Sequence, residues 1–99
     1  MNTSYLNIIG LAYRARKCSI GEENIINDIR NKKAKLVLIS NDISESTKKK
    51  LTDKCSSFHI PYVEVEDRYT LGKALGKPER VAVAILDDGF AAKLKTLLL

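Results

Sequence analysis

The sequence predicts an α/β fold, a three-layer α-β-α sandwich around a central mixed sheet of about four strands. Three observations predict it. Two continuous apolar runs of strand length, Leu36-Val37-Leu38-Ile39 and residues 81–86, lack the alternation of a half-exposed strand, as expected when helices cover both faces of a sheet. Segments with helical apolar spacing precede, separate and follow these runs, so helix and strand alternate along the chain. Ninety-nine residues with 44% hydrophobic content, and no repeat, linker-like or low-complexity stretch, then predict a single domain over residues 1–99 with one core.

Tyr5, Leu6, Ile9, Ala12 and Tyr13 recur at helical spacing, which predicts an amphipathic helix over about 4–15 ending in the basic cluster Arg14-Ala15-Arg16-Lys17. A short extended piece, Cys18-Ser19-Ile20, follows. Gly21 opens a second helix with the apolar stripe Ile25, Ile26 and Ile29. Glu22 and Glu23 stand in its first turn, where negative charge meets the positive end of the helix dipole. Leu36 to Ile39 is the expected central strand. Asn41-Asp42 breaks it, and Ser44 or Asp42 can cap a third helix whose core stripe is Leu51, Cys55 and Phe58. Lys48, Lys49 and Lys50 fall on the turn before that stripe and are expected to point to solvent.

Pro61 starts the next strand, residues 62–66, whose alternation puts Glu64 and Glu66 on one half-exposed face. Thr70 is the expected cap of a short helix over 71–75, stopped by Gly76 and by Pro78 beyond it. After the strand at 81–86, Asp87-Asp88-Gly89 turns into the last helix, where Phe90, Leu94 and Leu97 or Leu98 can face inward.

The net charge is +5, from 17 basic and 12 acidic residues, and it is unevenly spread. Residues 1–35 carry +4, residues 36–67 carry −2 and the remainder +3. Basic residues at the ends of the first two helices suit a polyanion, because each Lys or Arg near a phosphate displaces a condensed counterion. Cys18 and Cys55 are far apart, lack metal-ligand spacing and accompany a single histidine, so they read as small core hydrophobes rather than a zinc site or redox pair. His59 has no nucleophile or carboxylate partner at a recognisable spacing. With no glycine-rich phosphate loop either, no catalytic residue, metal or cofactor is assigned, and the expectation is a protein that is not an enzyme. The apolar residues near the start are interrupted by Asn7, Gly10 and Arg14, so neither a membrane span nor a signal-peptide layout is present and a cytoplasmic protein is expected.

A combination of segments goes further. Gly21-Glu22-Glu23-Asn24, the run from Lys35 to Asp42, Ile60-Pro61-Tyr62-Val63, and Leu71-Gly72-Lys73-Ala74-Leu75-Gly76 leading into residues 81–85 together resemble the ribosomal-protein family that binds kinked RNA. Its members include the archaeal large-subunit protein seven-Ae and the eukaryotic thirty-e. The resemblance covers nearly the whole chain and is nearest to the bacterial YlxQ-like branch, on residues 10–17 and Gly21-Glu22-Glu23. It implies a non-enzymatic protein that recognises a kinked helix-internal loop-helix in structured RNA such as ribosomal RNA. DNA is not an expected partner; a translation-associated protein is a further one. The alternative is a protein-interaction module of the same fold that has lost RNA recognition.

In that family the RNA surface comes from the start of the second helix, the loop after the first long strand and the loop before the last strand, which correspond to residues 21–27, 41–44 and 77–81. The resemblance therefore nominates Gly21, Glu22, Glu23, Asn24 and Asn27, then Asn41, Asp42 and Ile43, then Arg80 and Val81. Asn27 stands where the family has a lysine. A helix start offers unpaired backbone N–H groups to phosphate oxygens, and amide or carboxylate side chains can read an exposed purine edge. Asn24, Asn27 and Asn31 share one helix face, and Arg80 can meet a phosphate or stack on a splayed base, or else pair with Glu79 or Asp67. Lys33, just before the central strand, suits long-range attraction.

Overall fold

Residues 4–99 are described in this computed structural model. They run α1 (Ser4–Arg14), β1 (Cys18–Ser19), α2 (Glu22–Arg30), β2 (Leu36–Ile39), α3 (Glu45–Ser57), β3 (Tyr62–Glu64), α4 (Arg68–Ala74), β4 (Ala82–Ile85) and α5 (Asp88–Leu98). The strands form one mixed sheet in the order β1-β4-β2-β3. β2 is parallel to β3, with Val37 opposite Tyr62, and antiparallel to β4, with Leu36 opposite Ile85 and Ile39 opposite Ala82. β1 closes the other edge, antiparallel to β4 with Cys18 opposite Ile85.

Both apolar runs are interior strands, and every residue of β2 and β4 is buried. Successive side chains leave a strand on opposite faces, so each run feeds two cores at once. Leu36, Leu38, Val83 and Ile85 pack with Tyr5, Ile9, Leu71 and Leu94 under α1, α4 and α5. Val37, Ile39, Ala82 and Ala84 pack with Ile25, Ile29, Leu51 and Cys55 under α2 and α3. This is the three-layer sandwich the sequence predicts. Cys55 is buried and Cys18 partly so, both as free thiols, and burial pushes their pKa values up to about 11 and about 12.

Several local expectations are corrected. α4 begins three residues before its predicted start, because Asp67 rather than Thr70 is its cap and accepts from the Tyr69 and Thr70 N–H groups. β3 ends at Glu64. Glu66 has left the strand: its carbonyl takes the Asn41 N–H, and its carboxylate stands beside the buried Tyr5 hydroxyl. Burial, with that negative charge, pushes Tyr5 up to about 12. Phe58 is the C-cap of α3 and only partly buried. Lys48, Lys49 and Lys50 lie within α3 and form ion pairs with Glu64, Asp53 and Glu22.

The register has one consequence for function. β2 and β3 run toward the same end of the sheet, β4 starts there, and β1 delivers the chain there to begin α2. The segments at 20–24, 40–44, 65–68 and 77–81 are therefore gathered at one end of the sandwich.

Candidate nucleic-acid interface

The first component is the start of α2. Gly21 precedes it at φ +91, in the left-handed region where a glycine has no Cβ to clash. Side chains of Ser44, Asp67 and Asp87 cap α3, α4 and α5, whereas α2 has no side-chain cap. Its first-turn N–H groups are left for an external acceptor. Asn24 Nδ2 donates to the Ile20 carbonyl at 3.1 Å, bracing the amide across the Gly21 turn. That bond uses the donor end of the side chain and leaves Oδ1 to accept from outside.

The second component faces the first across a small hollow of about 70 Å³, whose walls include Gly21, Glu22, Thr47, Leu51, Arg80 and Val81. Ser40 N–H donates to the Val81 carbonyl at 2.8 Å, extending the β2–β4 ladder to the lip of this hollow. Arg80 donates from Nη1 to the Glu79 carbonyl at 2.7 Å and, among the described residues, makes no ion pair. Neither Glu79 nor Asp67 neutralises its guanidinium. Glu22, by contrast, is answered by Lys50 from α3, 3.5 Å away.

The third component is the loop after β2, held by Arg68. Its backbone N–H donates to Asp42 Oδ1 at 3.1 Å and its Nη2 to the Asp42 carbonyl at 2.7 Å, while Nε lies 3.3 Å from Asp42 Oδ2. The same guanidinium reaches Glu79 Oε1 at 3.5 Å, and the Arg68 carbonyl accepts from Arg80 N–H at 3.0 Å. One residue thus ties the loop after β2 to the loop before β4. Partial desolvation works upward on the Asp42 carboxyl, but Ser40, from outside hydrogen-bond geometry, and Arg68 outweigh it and hold the carboxyl below its usual range. Gly72 completes the bracing: a Cβ there would stand 2.5 Å from Glu79 Cα, so α4 and the loop before β4 are in backbone contact.

The sequence candidates divide accordingly. Gly21, Glu22, Arg80 and Val81 border the hollow, Asn24 stands on its α2 side, and Asp42 joins through Arg68. Asn41 is exposed beside Asp42. Glu23 and Asn27 lie with Ile26 and Arg30 around a separate shallow depression on the outer face of α2. Ile43 is only 9% exposed and packs in the α2–α3 core. Lys33 is exposed but follows the far end of α2, about 13 Å of helix from the interface, and so sits apart. The sequence reading missed Thr47, Lys50 and Arg68 as members of this end. Lys50 meets Glu22 across 28 residues and Arg68 meets Asp42 across 26, separations without a local spacing signal. Among the described residues no group of three or more His, Cys, Asp or Glu side chains could hold a metal ion, and no helix is long and apolar enough to cross a membrane.

Residues 4–95 match the Ribosomal protein L7Ae/L30e/S12e/Gadd45 family. The chain belongs to this family. Within it, the chain is 53% identical over 91 residues to the RNA-binding protein YlxQ of Bacillus subtilis, covering 92% of this chain and 91% of that one. It is 29% identical over 85 residues to the large ribosomal subunit protein eL8 of Thermoplasma volcanium, covering 85% and 70% of the two chains. A solved protein of unknown function from Bacillus halodurans superposes with a TM-score of 0.93 at 44% identity, over 97% of each chain. The 15.5kD RNA-binding protein of Giardia lamblia superposes with a TM-score of 0.81 over 99% of this chain and 90% of that one; at 18% identity this is a likeness of fold alone.

Proposed function

We propose that this protein is a non-enzymatic RNA-binding protein that recognises a kinked helix-internal loop-helix in structured RNA, ribosomal RNA being the first class to consider. The observation that carries the reading is the convergence, on one small apolar-walled hollow, of an uncapped, glycine-started helix and an arginine that makes no ion pair among the described residues. Kinship with proteins named as RNA-binding supports it.

In this reading the first-turn N–H groups of α2 receive phosphate oxygens, helped by the positive end of the helix dipole. Arg80 supplies a planar guanidinium to a second phosphate or to the face of an unstacked base. The lip of the hollow offers Val81 as a wall for the edge of a base. Asn24 Oδ1 accepts from an amino or imino group on a purine edge, with its orientation set in advance by the bond to Ile20. Lys50 matters because an unanswered Glu22 would repel the backbone it borders. Arg30, one turn beyond Asn27 on the same depression, supplies a cation where the family's lysine is replaced.

The test is a salt-titrated binding assay with a kinked RNA carrying tandem sheared G·A pairs, beside the same RNA with those pairs made Watson–Crick. Tight binding to the first alone is expected, weakening as salt rises because phosphate contacts release counterions. Equal weak binding to both, vanishing with salt, would leave only a basic surface and refute kink recognition.

A further inference from the structure

A further concavity lies between α1 and α4, lined by residues distinct from those of the α2–β4 hollow. This groove of about 710 Å³ is lined by the apolar Leu6, Leu11 and Ala74 and the polar Asn7 and Thr70, with the Arg14 guanidinium lying over Gly10, and with Lys73 on the α4 side. Its depth comes from close approach: a Cβ on Gly10 would lie 3.0 Å from the Ala74 carbonyl, so the two backbones nearly touch at the floor. Leu11 is left 49% exposed beside it.

Its charge is one-sided. Neither α1 nor α4 contains a carboxylate, α1 runs on into Arg16 and Lys17, and α4 into Lys77, which lies 6.0 Å over the Tyr13 ring. The carboxylates nearest to α4 in sequence are placed elsewhere: Glu66 stands beside the buried Tyr5 hydroxyl in the core, Asp67 caps the helix and bonds Thr70, and Glu79 meets Arg68. No internal anion neutralises Arg14 or Lys73 among the described residues.

We infer that this groove is the docking site for an acidic amphipathic helix of a protein partner. The α1 wall from Leu6 to Arg14 spans about 12 Å, which matches two turns of a helix laying apolar anchors at i, i+3 or i+4 and i+7 along the floor. Carboxylates flanking those anchors then meet Arg14 and Lys73, and complementary charge raises the rate of encounter and sets orientation. RNA is the poorer fit, since the apolar lining is aliphatic and offers neither an aromatic face for base stacking nor an uncapped helix start for phosphate.

The experiment is a display library of two-turn and longer amphipathic helices, with leucine anchors flanked by either glutamate or lysine, selected on the intact protein. Glutamate-flanked helices are expected to be enriched, and to lose at least ten-fold in affinity on Arg14→Glu/Lys73→Glu and on Leu11→Ser. The matched reversal Lys93→Glu/Lys95→Glu on α5 is expected to leave them bound, with circular dichroism confirming that every variant folds. Enrichment of no helix, equal enrichment of lysine-flanked helices, or an equal loss in the α5 control would overturn the inference. So would a finding that Arg14→Glu/Lys73→Glu weakens kinked RNA binding instead, which assigns the groove to RNA. Since the groove shares no lining residue with the α2–β4 hollow, failure here leaves the RNA-binding reading intact, and the converse holds.

Discussion

In the proposed interface the two ends of the Asn24 amide carry different roles, of which only the base contact should register in binding. The bond from Nδ2 to the Ile20 carbonyl is exposed and local, so its loss costs the fold little. Loss of Oδ1 removes the proposed base contact. Asn24→Ala is therefore expected to weaken kinked-RNA binding by about 1–3 kcal/mol, read by fluorescence anisotropy, with an unchanged melting curve. An unaltered affinity on a confirmed RNA ligand would remove Asn24 from the interface. Its candidacy was legible in the sequence through the resemblance carried by Gly21-Glu22-Glu23-Asn24, and through three asparagines, 24, 27 and 31, that share one helix face although Asn is a mediocre helix former. Its orientation was not, because the acceptor it uses lies on the backbone before that glycine.

At the scale of elements, α4 is the brace for the interface. Arg68 holds Asp42 and Glu79 together, and the missing side chain at Gly72 lets the loop before β4 lie against the helix. Arg68→Gln keeps a polar side chain but loses the charge and the fork geometry. It is expected to accelerate backbone hydrogen exchange selectively in residues 41–44 and 78–81, while the central strands keep their protection. Uniform acceleration across the sheet would mean that Arg68 supports global stability rather than these loops. The misplaced start of α4 has the same origin. Asp67 and Thr70 are both good caps by residue type, but Asp42, in the loop after the neighbouring strand β2, takes the Arg68 N–H. That draws the first turn back to Arg68, and a contact across 26 residues leaves no trace in local propensity. The central strands were legible for the opposite reason: burial on both faces abolishes alternation, and an unbroken apolar run is itself the signal.

The whole molecule should lose stability in acid. Asp67 has its carboxyl held below the usual 3.8 mainly by the Thr70 backbone N–H, and Asp42 lies below 3.8 because Ser40 and Arg68 outweigh desolvation. A carboxyl whose pKa is lower folded than unfolded stabilises the fold above its unfolded value, near 3.9, and loses that contribution as pH falls through the lower folded value. The melting temperature is expected to drop as pH is lowered below about 4, more steeply for the wild type than for Asp42→Asn/Asp67→Asn, which should start lower at neutral pH and fall less. Parallel curves would show that other groups govern acid unfolding. The +5 charge, legible from composition, adds self-repulsion to the same trend once carboxylates are protonated.

The strand order has a bearing on how the chain acquires its shape. β4 is the last strand in sequence, yet both β1 and β2 hydrogen-bond to it, and Cys18 finds its partner only at Ile85. Until that strand has left the ribosomal tunnel, a growing chain can pair only β2 with β3, and its two interior apolar surfaces have no lid. Commitment to the native topology therefore waits for β4, and a chain stalled before Ala82 would expose a sticky half-sheet that chaperones and proteases are equipped to find.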